Sequence, residues 1–295
     1  MGSQILQYII SGISVGSIYA LVALGFNIIY NTTGIINFAQ GEFVMLGGMT
    51  AASLVAIFHI PIYLAFILAV VIVTVIGALF ERLAIQPLKN PSVLTLIIIT
   101  IAGSILLKGI AMFVWGKETY FLPSFSGDSP IRILGAFLLP QTVWILGITG
   151  LVVIGLGAFF KFALSGKAMR AVSSNRIAAS LVGINVKKMV LLSFSLSAAI
   201  GAIGGIIIAP IALMDYEKGA ILALKGFAVA ALAGIGNFYG AVAAGLLLGI
   251  MEALGAGLIS SHYKDAIALM ILLLVLFLKP SGIFGSAQVS RLKKF

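Results

Sequence analysis

Long apolar runs alternate with short polar segments along the whole 295-residue chain. A helical run of about 20 apolar residues is long enough to cross a hydrocarbon core of roughly 30 Å. Because the bilayer core offers the backbone no water, such runs must be helical. The runs lie at about 4–30, 42–58, 62–80, 92–115, 140–160, 189–213, 220–235, 240–259 and 265–279. This pattern predicts an all-α polytopic membrane protein with about eight or nine transmembrane helices.

The composition supports the same class of protein. Apolar residues make up 61% of the chain and charged residues only 9%, far below the roughly 25% of soluble domains. Cysteine is absent, which excludes disulfides and thiolate chemistry. The net charge of +10 does not indicate a nucleic-acid partner, because the cations cluster in loops where membrane topology and anionic lipid explain them.

The distribution of Lys and Arg predicts the orientation in the membrane. The loops 81–91 and 161–188 and the tail from Lys279 together hold twelve of the 18 Lys and Arg residues, against one acid, Glu81. Positively charged loops stay in the cytoplasm, so these three segments are predicted there. The loops near 116–139, 214–218 and 260–265 are predicted outside. Nine full crossings would place the N-terminus outside, and a re-entrant pair near 30–45 would change that.

The segment 161–188 is the one long basic and polar stretch, with six Lys and Arg and no acid. Ser165 is suited to cap a helix start, Gly183 to end that helix and Asn185 to cap the next span. Apolar residues spaced to share one face of this helix are Ala168, Met169, Val172, Ala179 and Val182. Composition leaves two interpretations open: a helix on anionic headgroups and a docking helix for a soluble partner.

A short pattern occurs twice, 200 residues apart. Gly34-Ile-Ile-Asn37-Phe38 is echoed by Gly234-Ile-Gly-Asn237-Phe238, each after a run of small residues. Gly-interrupted segments at corresponding places in two halves are typical of discontinuous helices around a transport pathway. The pattern therefore predicts a pseudo-repeat of two halves with broken or re-entrant segments, in which Asn37 and Asn237 face one cavity. Chance similarity among small apolar residues is the alternative.

Four ionisable residues fall inside predicted spans: Glu42, Lys108, Lys225 and Glu252. Charges at membrane depth are rare, and they usually face a protein interior or a wet cavity. Two roles remain open for Lys225 and Glu252: an ion pair that fixes helix register, and a part in the transport pathway. Lys108 lies near a span end, where we expect its ammonium group to reach the interface.

Five segments resemble a known family when taken in order. They are Asn37–Glu42, Gly166–Ala171, Ala179–Asn185, Leu232–Asn237 and Tyr263–Asp265. Together, from about Gly16 to Gly285, they resemble the branched-chain amino acid permeases, the inner-membrane subunits of bacterial binding-protein-dependent ABC importers. The shorter, H-type subunit is the better match. One departure is Gln40, where family members often have His, which removes a titratable group.

The resemblance implies one transmembrane permease domain over 1–295, in the bacterial plasma (inner) membrane, with its coupling segment at 161–188. Implied partners are a second permease, similar or identical, two ATP-binding subunits and an extracytoplasmic amino-acid-binding protein. The cargo would be branched-chain amino acids, or urea or another small polar solute. Because no phosphate loop and no metal motif occur in the sequence, we expect no cofactor and no enzymatic activity in this chain, and ATP and Mg would bind to the partners.

The predicted site residues form two groups. The translocation pathway would be lined by Asn37, Phe38, Gln40, Glu42, Lys225, Asn237, Phe238 and Glu252. Coupling to the ATPase would use Gly166, Lys167, Arg170, Asn175, Arg176, Gly183 and Asn185. A hypothesis from another class is an autonomous secondary transporter or channel, which would move solute without ATPase subunits.

Overall fold

The computed structural model describes residues 2–88, 91–133, 135–279 and 281–285. Within them the chain forms eleven α-helices and one β-hairpin. The helices are α1 Gly2–Thr33, α2 Gln40–Ala56, α3 Ile62–Phe80, α4 Val93–Trp115, α5 Pro140–Phe162, α6 Leu164–Ser174, α7 Arg176–Leu181, α8 Val186–Ile208, α9 Lys218–Ala233, α10 Phe238–Leu258 and α11 Lys264–Leu278. A π-helical turn, Glu81–Ile85, extends α3, and a 3-10 turn, Ser261–Tyr263, precedes α11.

Seven helical segments of the described chain are long and apolar enough to cross a membrane, which confirms the all-α polytopic membrane class but is fewer than the eight or nine spans predicted. Helices α2 and α9 pack among them but have only 17 and 16 residues. Most predicted boundaries lie within three residues of the observed ones. The exception is α8, which ends at Ile208 rather than near 213, just before Pro210, because proline lacks the amide hydrogen that a continuing helix needs.

Helix α1 runs through the centre of the fold and packs closely against α10. A Cβ atom added at Gly12 would lie 2.6 Å from the Ile250 Cα atom, and one at Gly245 would lie 2.8 Å from the Gly16 carbonyl oxygen. Small residues four apart let two backbones approach in this way. These glycines therefore serve the close packing of α1 on α10. Gly205 likewise allows the backbones of α8 and α2 to approach closely, since it faces the Val44 carbonyl.

The loops sort to two ends of the helical bundle. Gln7 Nε2 donates to the Phe137 carbonyl at 2.9 Å, and the Tyr120 amide donates to the Met214 carbonyl at 2.7 Å. The N-terminal turn of α1 thus shares one end with the loops 116–139 and 209–217. That end also carries an antiparallel hairpin, β1 Ile131–Ile133 and β2 Ala136–Leu138, which the sequence analysis did not predict.

The other end, called here the basic end, gathers the α6–α7 segment, the turn after α1 and the stretch 281–285. The Arg176 guanidinium donates to the Thr32 carbonyl at 3.0 Å, and the Ile283 amide donates to the Leu232 carbonyl at 2.6 Å. Two of the three segments predicted to be cytoplasmic therefore lie together, and Ile85 of the third, 81–91, packs in one cluster with Ile29 and Ile35 beside the turn after α1. Four of their cations, at positions 89, 291, 293 and 294, lie outside the described residues.

Candidate functional site

A buried ion cluster joins α1, α9, α10 and α11 near the end opposite the basic end. Its centre is Lys225, which is 6% exposed. The Lys225 ammonium donates to Glu252 Oε1 at 2.8 Å and to the Tyr19 hydroxyl at 2.9 Å, and it forms an ion pair with Asp265 Oδ1 at 2.7 Å. A lysine has three donor hydrogens, which equals the number of these partners. The predicted Lys225–Glu252 pair is therefore present.

The cluster extends through the carboxylate of Glu252, which is 1% exposed. The Tyr19 hydroxyl lies 3.0 Å from Glu252 Oε1, and the Lys264 ammonium lies 3.4 Å from the same atom. Two lysines and two carboxylates make the cluster formally neutral, which offsets the cost of burying its charges. No sequence pattern indicates a site role for Tyr19, Lys264 or Asp265, although Lys264 and Asp265 lie in a segment that carries the family resemblance.

A cavity of about 440 Å³, called here the outer cavity, opens beside this cluster at the same end. Four of its lining residues carry charge: Lys218, Lys225, Lys264 and Asp265. The rest of the lining, called here the apolar wall, is mainly apolar and includes Ile18, Ile145, Ile208, Ile211, Ile221 and Leu222. The volume falls in the roughly 300–1,000 Å³ range of small-molecule sites. A smaller cavity of about 290 Å³, between α1 and α10, has Glu252 in its lining.

The first copy of the repeated pattern forms the break between α1 and α2. Gly34 adopts a φ of +74°, in the left-handed region that glycine tolerates. Asn37 is fully buried, and its Oδ1 accepts from the Ala39 amide at 3.1 Å, while its Nδ2 has no hydrogen-bond partner in the described part of the chain. The Phe38 amide donates to the Thr100 hydroxyl of α4 at 3.3 Å. This break therefore packs against α4.

The second copy forms the break between α9 and α10, again with a left-handed glycine, Gly234, at a φ of +82°. Asn237 caps α10, since its Oδ1 accepts from the Gly240 amide at 2.9 Å. Asn27 of α1 secures the turn: its Nδ2 donates to the Asn237 carbonyl at 3.1 Å and its Oδ1 accepts from the Gly236 amide at 2.9 Å. Both predicted helix breaks are therefore confirmed.

The two copies have different neighbours. The Phe38 ring lies 6.3 Å from the ring of Phe227 on α9, whereas Phe238 stacks at 4.9 Å on Phe160 of α5. The Asn237 amide group donates to the Phe284 carbonyl at 3.1 Å, at the basic end. None of the contacts of the described residues joins Asn37 to Asn237. A cavity shared by the two asparagines stays a prediction.

Gln40 and Glu42 lie in the first turn of α2, deep in the bundle. Gln40 is fully buried, its Nε2 donates to the Ser197 carbonyl at 3.2 Å, and its Oε1 contacts the Ser197 hydroxyl. The Glu42 Oε1 atom accepts from the Ser104 hydroxyl of α4 at 2.9 Å. Its Oε2 lies against Gly219 in the first turn of α9. Gln40 therefore links α2 to α8, and Glu42 faces the positive end of the α9 dipole.

The basic segment consists of two short helices rather than the single helix that the sequence predicts. Asn175 is extended, with φ −155° and ψ 110°, and its side chain accepts from the Ala178 amide to start α7. Ser165 lies inside α6 and is not a cap, so that prediction is wrong, because α6 already begins at Leu164. Gly183, at a φ of +85°, and Asn185, which caps α8, have the predicted backbone roles.

The predicted apolar face of this segment is only partly correct. Met169, Val172 and Ala179 are buried against the bundle, but Val182 is 76% exposed because α7 ends before it. Ile177 and Leu181, which lie on the side of α7 away from Ala179, are 75% and 82% exposed. The basic-end surface, as it is called here, consists of the exposed apolar side chains Ile177, Leu181 and Val182 and the exposed cations Lys167 and Arg170 of α6.

Two contacts anchor that surface to the membrane helices. Gly166 packs so closely on α5 that an added Cβ atom would lie 2.9 Å from the Phe160 Cα atom. Arg176 donates to the last turn of α1 through the Thr32 carbonyl. Burial lowers the pKa of the Arg176 guanidinium, a group that still keeps its charge in proteins. Gly166 and Arg176 thus connect α6 and α7 to α5 and α1.

Comparison with known proteins places the chain in a family. Residues 8–276 match the family described as branched-chain amino acid transport system, permease component. The chain is 32% identical to the high-affinity branched-chain amino acid transport system permease protein LivH of Escherichia coli K12, over 97% of each chain. It is 31% identical to the corresponding BraD of Pseudomonas aeruginosa, again over 97% of each.

A more distant relative is the ribose import permease protein RbsC of Haemophilus influenzae, which is 29% identical over 88% of this chain and 81% of its own length. The seven candidate spans agree with the match to permeases, which extends over almost the whole chain. The chain belongs to the branched-chain amino acid permease family, as a multi-pass protein of the bacterial inner membrane.

Proposed function

We propose that this chain is the permease subunit of an ATP-driven, binding-protein-dependent importer of branched-chain amino acids. The observation that supports this proposal best is the basic-end surface on a chain that aligns with LivH and BraD over 97% of its length. The complex would contain a second permease, similar or identical, two ATP-binding subunits that supply hydrolysis, and an extracytoplasmic binding protein that delivers the amino acid.

The exposed faces of α6 and α7 favour a protein partner over a lipid surface. Ala179 faces the bundle, and Ile177 and Leu181 lie about half a turn away from it on a helix of 3.6 residues per turn. They therefore point away from the membrane helices, toward the cytosol in the orientation that the charges predict. An exposed apolar patch on a helix that follows another with exposed cations, here Lys167 and Arg170 of α6, is typical of a protein interaction site.

Movement of this surface would reach the pathway through the anchoring contacts of Gly166 and Arg176. Arg176 holds the end of α1, and α1 contributes Tyr19 to the ion cluster and Asn27 to the second helix break. In this proposal, closure of the ATP-binding subunits shifts α6 and α7 and thereby reorients α1. The eight residues predicted for the pathway would then line alternately open routes.

The coupling proposal is tested with the chain reconstituted together with its ATP-binding subunits and binding protein in liposomes. We expect Leu181→Glu to abolish leucine uptake, because a carboxylate would replace an apolar contact, and Arg170→Glu to separate ATP hydrolysis from uptake. A matched control is Leu213→Glu, which makes the same change at a half-exposed position of the opposite end. Normal uptake in both basic-end variants would refute the docking role.

Cargo and energy source are tested in the same system. Radiolabelled leucine, urea and ribose distinguish an aliphatic amino acid from small polar cargoes. The apolar wall of the outer cavity favours the amino acid. Liposomes that hold the purified chain alone test the autonomous alternative, since a secondary transporter or channel would move leucine down a leucine or ion gradient without any partner.

A further inference from the structure

The three partners of Lys225 differ in how freely they can be exchanged. Tyr19 and Glu252 are 2% and 1% exposed and cannot leave the lysine without a change in helix packing. The third partner, Asp265, has a side chain that is 68% exposed and lines the outer cavity. One of the three partners of a buried ammonium group is therefore a carboxylate that can move into solvent.

The charges around the outer cavity favour a ligand that carries a carboxylate. Lys218, Lys225 and Lys264 line it against a single lining acid, Asp265. Each of these lysines already has a carboxylate partner, Glu252 for Lys225 and Lys264 and Asp215 for Lys218, so a ligand carboxylate enters by exchanging with a partner rather than by meeting a free positive charge. A lone anion, however, would displace Asp265 from Lys225 and leave that carboxylate without its partner.

We propose that the outer cavity binds a free aliphatic α-amino acid by inserting it between Lys225 and Asp265. The ligand carboxylate accepts from the Lys225 ammonium in place of Asp265 Oδ1, and the ligand ammonium donates to the released Asp265 carboxylate. The alkyl side chain then lies against the apolar wall that contains Ile18, Ile145 and Leu222. The inference rests on the proposed function for the type of cargo and adds the residues that recognise it.

Three physical arguments support insertion. Lys225 keeps three acceptors throughout, so no buried ammonium hydrogen is left unpaired, which would be costly. The ion pair between Lys225 and Asp265 is replaced by two, one from each residue to the ligand, and the net charge of the site does not change because the ligand is a zwitterion. The exchanged partner is the exposed one, and ion pairs with an exposed carboxylate are weak enough to be replaced.

The test measures weak binding directly, by saturation-transfer NMR on the full-length chain in lipid nanodiscs. The probes are leucine, 3-methylbutanoate and 3-methylbutylamine, which share the alkyl group and carry both charges, the carboxylate only or the ammonium only. We expect the wild-type chain to bind leucine at least about tenfold more tightly than either singly charged probe, because one charge-assisted hydrogen bond contributes about that factor.

The discriminating variant is Asp265→Asn, at an exposed position where the substitution keeps the size of the side chain. We expect the Kd of leucine to rise about tenfold, because its ammonium loses a charged partner. The Kd of 3-methylbutanoate is expected to fall, because the competitor for Lys225 is weakened. Asp128→Asn, in the loop at the same end and outside the cavity, is the matched control and should change neither.

Other results overturn the inference. They are an unchanged leucine affinity in Asp265→Asn, a weaker affinity for 3-methylbutanoate in that variant, or no leucine binding to the wild-type chain. The proposed function is tested separately by uptake in the reconstituted complex. If the wild-type complex takes up leucine but Asp265→Asn binds leucine unchanged, the importer function is supported and only the proposed binding site is refuted.

Discussion

Glu42 and Glu252 are both buried carboxylates within the helical bundle, yet their surroundings differ. Glu252 lies within ion-pair distance of two lysines and accepts from Tyr19. Glu42 accepts one hydrogen bond, from Ser104, and pairs with no cation in the described part of the chain. Each keeps one oxygen, Oε2, without a hydrogen-bond partner among the described residues.

The difference shows two ways to hold an acid in an apolar bundle. Around Glu252, full charges compensate one another, so each member depends on the others and removal of one leaves a buried charge unpaired. Around Glu42, the close partners are dipoles, namely one hydroxyl and the first turn of α9, whose free amides carry partial positive charge, while the charge of Lys108 acts from beyond ion-pair distance. The first arrangement ties helices together strongly, and the second leaves the carboxylate more loosely held.

Removal of the central cation should have the largest effect on this comparison. We expect Lys225→Met to lower the free energy of unfolding by about 3–5 kcal/mol, because Glu252 then stays buried with only the more distant Lys264 as a cation. The measurement is unfolding of the purified chain by SDS titration in bicelles. The double variant Lys225→Met, Glu252→Gln removes both charges, and we expect it to recover most of the loss. A double variant as unstable as the single one would contradict the charge argument.

An effect of intermediate size should come from the close approach of Glu42 to α9. A Cβ atom at Gly219 would collide with the Glu42 carboxylate. We therefore expect Gly219→Ala to lower the free energy of unfolding by about 1–3 kcal/mol through overpacking. The double variant Gly219→Ala, Glu42→Ala provides the control, since it removes the colliding group. If the double variant is no more stable than Gly219→Ala, the contact between Glu42 and the start of α9 is not what the glycine accommodates.

The sequence predicts the spans well because long apolar runs leave the chain few alternatives in a membrane. It also identifies Lys225 and Glu252, since charges inside apolar runs are conspicuous. It does not reveal Tyr19 as their partner, because a tyrosine in an apolar span looks like ordinary core. Asp265 appears in sequence only as an acid near a span end, and its contact with Lys225 depends on how α11 packs beside α9.

The basic segment shows a different limit of sequence analysis. Apolar spacing runs on from Met169 to Val182 as if one helix continued, but Asn175 takes an extended conformation and caps a new helix. Asn is equally able to cap a helix and to lie on its polar face. The choice is made by tertiary contacts, here the packing of Met169 and Val172 on the bundle and the bond from Arg176 to α1.

The smallest effect, and the sharpest comparison, should come from neutralising each acid without changing its shape. We expect Glu42→Gln to change the free energy of unfolding by less than about 1 kcal/mol, because the bond from Ser104 remains and the lost attraction to the α9 dipole is offset by easier burial. Glu252→Gln should cost about 1–3 kcal/mol, since Lys225 and Lys264 lose a charged acceptor. Both are measured by the same SDS titration. Equal losses in the two variants would mean that dipoles hold Glu42 as firmly as the lysines hold Glu252.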